Sequence, residues 1–538
     1  MEPYSATEHT KRRSKGELPE AADAIVVGCG LGGLMTAAHL VRKGMKVACF
    51  DSHYVAGGCA TMFSRGGKNA RYNFDVGLHY LGDCGPDGKI PTLLRELDIE
   101  QEFVPMDQDG FDELVFPDFR FRIPASKEVY RERLVAMFPK ERKGIDRYVR
   151  FLNEVEEMVQ LLESSKKKTK MGVGLHVLRK GRLVARYAKS TIGEVLDSCT
   201  SNTHLRAVML GQNGDYGLGP SECSALLHAG LVNHYFKGAY YPVGGGQVIA
   251  DKLSDYIEAN GGTLHLTCGV KSIKAKDGAV EGVLLERDDR FVSAPIVISN
   301  ADLKRTYSDL LGPDVIGAEK LDEVESYQMG GAIFMTYLGV SCDLRDFGMR
   351  SANYWQFDGY DFDEFYEEGR SPGELRTFGA YVTSASLKEP GWDSHAPPGE
   401  QNIEVMSIVP GDPGTWGVQP EAIDPWKYKK GDHYLELKNR IEGELLVRLE
   451  NLFPGVGQHI TFKESATPVT HTRYTRASGG SGYGLAATPG QFMRNRPGYR
   501  GELQGLYFAG ASTRSGHGIV GAMMSGKEAS RRVLRDRA

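Results

Sequence analysis

The uncharged run from Ala24 to Val41 constrains this chain more than any other feature. Its length suits a membrane span, but its interior does not. Ala24 to Val27 has the pattern of a short buried strand. Gly28-Cys29-Gly30-Leu31-Gly32-Gly33 interrupts it, and Leu34, Ala37, Ala38 and Val41 follow at helical spacing. Lys46 to Phe50 reads as a second strand, closed by Asp51. A β-turn-α-β unit accounts for all of these residues.

Each part of that unit has a physical task. Gly28 permits a tight turn, Gly30 lets a pyrophosphate approach the backbone, and Gly33 lets helix and strand pack closely. The turn around Leu31 and Gly32 opens a helix whose first amides and positive dipole end attract phosphate. Asp51, with Ser52 beside it, is placed to accept hydrogen bonds from a ribose. The expectation is a dinucleotide site. Gly57-Gly58 adds a second close-approach point. At the far end of the chain, Gly505 to Ala509 reads as a strand, and Gly510-Ala511 leads to the loop Ser515-Gly516-His517-Gly518. Ile519 and Val520 then open a C-terminal helix that ends near Leu534. A site split between the two ends of a chain fits a long cofactor lying extended, which favours FAD over NAD. Amides at Gly518, Ile519 and Val520 would face the pyrimidine end of an isoalloxazine.

The rest of the chain is read for organisation. Its 538 residues carry 65 Lys/Arg against 70 Asp/Glu, a balance that gives no ground for a nucleic-acid partner. Eight scattered cysteines without a C-x-x-C pair and a polar, charged stretch up to Glu20 point to a reducing, cytoplasmic setting. Residues 1–20 read as a disordered lead, 21–130 as a first FAD-binding segment, and 131–240 as a helical substrate region. Residues 241–310 read as a second FAD-binding segment, with Val270 at a strand start near the cofactor. Residues 311–490 form a substrate domain and 491–538 the last FAD-binding segment. The fold class is α/β. From Ser164 to Gly193 there are nine Lys/Arg and no Asp/Glu, interleaved with apolar residues. That stretch is either a solvated basic segment or a peripheral contact with anionic lipid. The acid-rich run from Asp358 to Glu368 reads as a solvated loop.

Glycine is in excess, 66 of 538 residues against a usual ~7%. Gly28, Gly30, Gly33, Gly57, Gly58, Gly244 to Gly246, Gly510, Gly516, Gly518 and Gly521 are read as bare backbone required by a bound flavin.

Together these motifs resemble the FAD-dependent phytoene desaturase superfamily, which includes carotenoid isomerases and retinol saturases. The run Phe74-Asp75-Val76-Gly77-Leu78-His79-Tyr80 and the stretch His228 to Gly246 bring the resemblance closest to retinol saturases. Two positions depart from it: Ala511 replaces an acid expected to hold the ribityl chain, and His517 replaces a small residue. The resemblance implies a Rossmann-like FAD-binding domain with an inserted substrate domain of mixed sheet and helices. It also implies FAD, a lipophilic isoprenoid or polyene substrate, hydride transfer at flavin N5 and a separate electron donor or acceptor. No second glycine fingerprint is present to hold NAD(P)H. Saturation in the manner of retinol saturases, carotenoid-type desaturation, double-bond isomerisation and terpene dehydrogenation with water capture all remain open. So does a non-catalytic lipid-binding role, with an amine oxidase reaction less favoured. His79, Tyr80 and His517 are the candidates for proton handling. His228 and His234 are read as structural or tunnel-lining. No histidine or acid spacing points to a metal.

Overall fold

The computed structural model describes residues 17–66, 71–164, 181–370, 375–391, 394–419, 423, 428 and 430–537. The strand β1 (Ala24–Val27) is buried at every position. Its alternate side chains face opposite layers: Val26 joins an interior with Leu34 and Ala37, while Ile25 and Val27 join one with Val283 and Leu506. This period-two division is what a strand covered on both faces requires. Helix α1 (Leu31–Val41) follows, then β2 (Val47–Phe50). The helix α2 (Val248–Ala259) leads to β3 (Thr263–His265), and β4 (Val297–Ser299) and β5 (Leu506–Phe508) complete the sheet. The order is β3-β2-β1-β4-β5, all parallel. The order reverses between β1 and β4, and ligands bind parallel sheets in the crevice at such a reversal.

The C-terminal helix α3 (Gly518–Arg537) packs on α1. The crossing is close because Gly526 is bare: a Cβ there would lie 2.2 Å from the carbonyl oxygen of Gly32. A three-stranded antiparallel sheet covers the other face (Val270–Lys276, Ala279–Leu285, Phe291–Ser293). Its first turn is Asp277-Gly278, both residues at positive φ, as a hairpin of this length demands.

The second body is a seven-stranded sheet whose long central strands, Ala332–Val340 and Gln401–Val409, pair antiparallel along their whole length. Asp112–Val115 pairs with Asn353–Phe357, and Arg120–Ile123 pairs with Asp112–Val115 to form its far edge. The sequence reading had assigned them to the first FAD-binding segment, so that segment gives way to the substrate-side sheet before residue 130. Short apolar strands carry no mark of which sheet they join. Helices Lys127–Met137, Arg142–Ser164, Arg182–Tyr187, Ile192–Asp197, Thr203–Leu210 and Ala225–Tyr235 build a helical layer. Tyr148, Phe151 and Leu152 are buried in it.

Three expectations need correction. The acid-rich run is not a loop, since Phe362–Arg370 is a helix. Phe362 and Tyr366, one helical turn apart, bury one side and leave Glu364 and Glu367 exposed. Leu18 is packed and the Glu20 carbonyl accepts from Ser293 N at 3.0 Å, so the chain is engaged before residue 21. The first 16 residues, and 165–180 of the basic segment, lie outside the described residues. Gly244 to Gly246 serve no flavin surface. Gly244 and Gly245 take positive φ in a turn, and a Cβ on Gly246 would lie 2.3 Å from Asp75 Oδ1. Among the described residues no helix is long and apolar enough to cross a membrane.

Candidate active site

One cavity of about 1670 Å³ runs from the carboxyl ends of β1, β2 and β4 into the seven-stranded sheet. Its wall contains Gly28, Gly30, Leu31, Gly32, Asp51, Ser52, Gly57, Gly58, Val270, Gly510, Ala511, Gly518, Ile519 and Val520. His79, Tyr80 and His517 line it too. Gly33 does not: a Cβ there would lie 2.2 Å from the Gly28 carbonyl oxygen. Its task is the close packing of α1 on the turn.

The residues present fit an FAD. Gly30 is the N-cap of α1 and no side chain caps the helix, so its first amides are available to a phosphate. Asp51 is the acid that ends β2. Its Oδ2 accepts from Cys29 N at 2.6 Å and its Oδ1 from His53 N at 2.7 Å. Each oxygen keeps capacity for a ribose hydroxyl. Burial pushes the Asp51 carboxyl up, opposed by those two amides. His517 is half-buried, and its two buried ring nitrogens are not hydrogen-bonded to any described residue. Burial, with the Arg496 charge, lowers it to about 3. It is a neutral imidazole with free hydrogen-bonding capacity at the start of α3.

Two residues of this cradle escaped the sequence. Asn300 follows β4 and ties the two motifs together: its amide donates to the Gly28 carbonyl at 3.3 Å. Cβ atoms on Gly32 and Gly510 would come within 2.5 and 2.8 Å of its Oδ1. Arg496 is 2% exposed. It donates to the Ala511 carbonyl at 3.1 Å and to the Leu485 carbonyl. No carboxylate among the described residues pairs with it, and burial lowers its pKa only to about 10, leaving a fixed positive charge beside the flavin loop. Nothing in the spacing of Arg496 marks it, because an isolated arginine in a loop reads as surface.

On the far side of the cavity the run around His79 meets the seven-stranded sheet. His79 Nδ1 lies 2.8 Å from Glu404 Oε2. Asp75 accepts from Tyr241 Oη at 2.5 Å and Gly246 N at 3.1 Å. Lys388, 2% exposed, donates to the His79 carbonyl at 2.5 Å. Burial brings its pKa down to about 8 against the attraction of Glu404 and Asp75. Ligand atoms of Asp75, His79 and Glu404 come within 4.8 Å of one another, a meeting of distant segments that the sequence reading did not foresee. Burial and then the Glu404 charge hold the Asp75 carboxyl well above the usual carboxylate range, and the Lys388 ammonium offsets part of that rise.

Tyr80 lies across the same wall. Its hydroxyl is 2.5 Å from Asp215 Oδ2 and 3.2 Å from Asp112 Oδ2, and its ring stacks on Tyr235 at 4.4 Å. Of the other histidines, His228 has both nitrogens engaged by Tyr148 at 2.7 Å and Tyr216 at 3.1 Å. It is structural. His234 lines the cavity and accepts from Gly82 N at 3.1 Å.

Known proteins place this arrangement. A family model described as "NAD(P)-binding Rossmann-like domain" matches residues 26–97, and one described as "Flavin containing amine oxidoreductase" matches 428–534. An all-trans-retinol 13,14-reductase from Danio rerio is 30% identical over 87% of this chain and 78% of its own. The chain belongs to the FAD-dependent phytoene desaturase and retinol saturase superfamily. Prolycopene isomerase 1 of an Oncidium hybrid cultivar is 25% identical over 97% of this chain and 85% of its own. Among solved structures, an oxidoreductase from Methanosarcina mazei shares the fold, with TM-score 0.63 and 20% identity over 94% and 99% of the two chains. Cyclohexylamine oxidase from Brevibacterium oxydans does so with TM-score 0.57 and 14% identity over 96% and 99%. As a member of this superfamily the protein is an FAD-dependent oxidoreductase.

Proposed function

We propose that the protein saturates a carbon–carbon double bond of a lipophilic polyene or isoprenoid, in the manner of the retinol reductases to which it is similar. The observation that carries this reading is the continuity of one cavity from the Gly30 turn to an aromatic chamber. Trp355, Phe357, Phe362, Tyr381 and Met406 line that chamber. A polyene has no charge to recognise, so shape and exclusion of water are what the protein must supply.

When bound, FAD supplies the hydride chemistry at N5. The chain's own residues do the rest. Gly28, Gly30 and α1 would hold the pyrophosphate, Asp51 a ribose, and the start of α3 the ring end. Lys388 and Glu404 fix the carbonyl and ring of His79, and so hold the loop that carries Tyr80 against the chamber. His517, neutral at working pH, donates or accepts a hydrogen bond but is a weak acid. A peripheral lipid contact by residues 164–193 belongs to the same proposal, as the means by which such a substrate is collected. Isomerisation is the second reading, favoured by the coverage of the prolycopene isomerases over nearly the whole chain.

The test is anaerobic mixing of FAD-loaded protein with candidate lipids while flavin absorbance is followed. Reoxidation of the dithionite-reduced protein by a polyene is expected. Bleaching of the oxidised protein by a saturated isoprenoid would reverse the direction, and no response to any lipid would refute the reading in favour of a lipid carrier.

A further inference from the structure

We infer that Asp215 is the acid that protonates the substrate, with Tyr80 and Asp112 forming the hydrogen-bonded unit that stores and returns its proton. The inference rests on the saturation reading, since only a double bond under reduction needs a proton placed on carbon.

The geometry has three parts. Asp215 is half-buried and lines the cavity, whereas Asp112 lies behind it at 0% exposure. The Tyr80 hydroxyl bridges them, 2.5 Å from one carboxyl and 3.2 Å from the other. Asp112 is held in place from the far side by Gln212 Nε2 and Asn353 Nδ2, each donating at 2.8 Å. The chain next to Asp215 is also tied to the loop that opens α3. Tyr483 donates to the Gly214 carbonyl at 2.5 Å, and its ring stands 5.5 Å from that of His517. The acid is therefore joined, through one tyrosine, to the loop that opens α3.

Two carboxyls bridged by one hydroxyl in an apolar wall do not both ionise. Burial first, and then the Asp112 charge, raise Asp215 well above the usual carboxylate range, and burial brings Asp112 up to about 6. Such a pair titrates as a unit and holds one proton near neutral pH. The groups facing it are Tyr235 and Tyr381, which stay neutral, Tyr483, and Lys388, whose Nζ lies 5.9 Å from the Tyr80 ring centre. The cation at Lys388 is thus separated from Asp215 by the Tyr80 ring.

In the step, one alkene carbon takes the proton as the Asp215 O–H bond breaks and the π pair forms the new C–H bond. The neighbouring carbon takes the hydride, so the alkene is reduced as the reduced flavin is oxidised. The Tyr80 hydroxyl donates to the resulting carboxylate, and a water proton restores the pair when product leaves.

The experiment is infrared difference spectroscopy across a pH titration of FAD-loaded protein, joined to the reoxidation assay above. Wild type is expected to show a protonated carboxyl band at pH 7. Burial raises Asp75 and Asp51 as well, so Asp215→Asn should remove one component of that band, retain stoichiometric FAD, and slow reoxidation by polyene about 10²- to 10⁴-fold, the usual weight of a positioned acid. Tyr80→Phe should keep the band but move its midpoint upward, because the carboxylate loses its donor. An unchanged band in Asp215→Asn, or reoxidation within twofold of wild type, overturns the inference. Should wild type ignore every polyene, the saturation reading fails, and the infrared result still decides whether the shared proton exists.

Discussion

Gly30 and Gly33 are three residues apart in the same turn, and the structure gives them opposite consequences when a side chain is added. At Gly33 the obstacle is fixed backbone: a Cβ would lie 2.2 Å from the Gly28 carbonyl oxygen and 3.0 Å from Val26 Cγ1. That is more than 1 Å inside the ~3.5 Å of a favourable contact. Alanine gains up to about 1 kcal/mol over glycine within a helix, while forcing a packed core apart costs about 1–3 kcal/mol or more. The clash is with main chain, so the upper end applies and Gly33→Ala should destabilise the apoprotein by about 2 kcal/mol. At Gly30 the nearest atom is the Asn300 side-chain amide at 2.8 Å, whose own bond to Gly28 is a long 3.3 Å. That amide can turn away, and Gly30 has an ordinary φ of −69°. Gly30→Leu should therefore leave apoprotein stability within about 1 kcal/mol of wild type but fill the place where pyrophosphate approaches. The assay is thermal unfolding of stripped protein with and without added FAD. A ligand at 100 times its Kd adds about 2.7 kcal/mol, so wild type should gain that much and Gly30→Leu none. Gly33→Ala should start lower and still respond to FAD. Stoichiometric FAD retained by Gly30→Leu, or an apo Gly33→Ala as stable as wild type, would refute the division of tasks.

Two further outcomes follow from buried charge. Replacing Arg496 with Met removes the fixed cation beside the flavin loop and should lower the midpoint potential of the bound flavin by about 30 mV or more, which for a two-electron couple is ~1.4 kcal/mol; spectroelectrochemical titration measures it, and an unchanged potential would place the charge too far away to matter. For Asp112, the carboxyl is raised from 3.8 to about 6 in the folded protein. A raised pKa means the folded state binds the proton more tightly, so its contribution is fully present below about pH 4 and is lost as pH rises through about 6. Denaturant midpoints of wild type should decline over that window by about 3 kcal/mol from this group. Asp112→Asn should flatten the decline, and identical slopes would exclude Asp112 as its source.

The local elements of the FAD side were legible because each is written in a few adjacent residues. Ala24–Val27, the glycine turn, α1 and Asp51 form a unit whose backbone demands are met by residue type alone. Ala332–Val340 and the last helix announce themselves by unbroken periodicity. The acid-rich run misled because its charges were counted before the spacing of Phe362 and Tyr366. Gly244 to Gly246 misled because a glycine answers to any tight turn or close neighbour: here the first two take positive φ in a turn, and Gly246 lies against Asp75.

The sequence by itself determined that two ends of this chain meet around a dinucleotide, because phosphate and tight turns require glycine wherever they occur. The family resemblance added the expectation that His79 and Tyr80 lie near that site. Only the tertiary structure decided what stands beside them. Asp112, Asp215 and Lys388 come to Tyr80 and His79, and Asn300 and Arg496 to the glycine turn and the flavin loop; each is at least 85 residues from the next in the sequence, and none has a spacing that marks it. Their chemistry arises from burial and from one another's charge. Both are properties of the packed molecule, and the one-dimensional pattern carries neither.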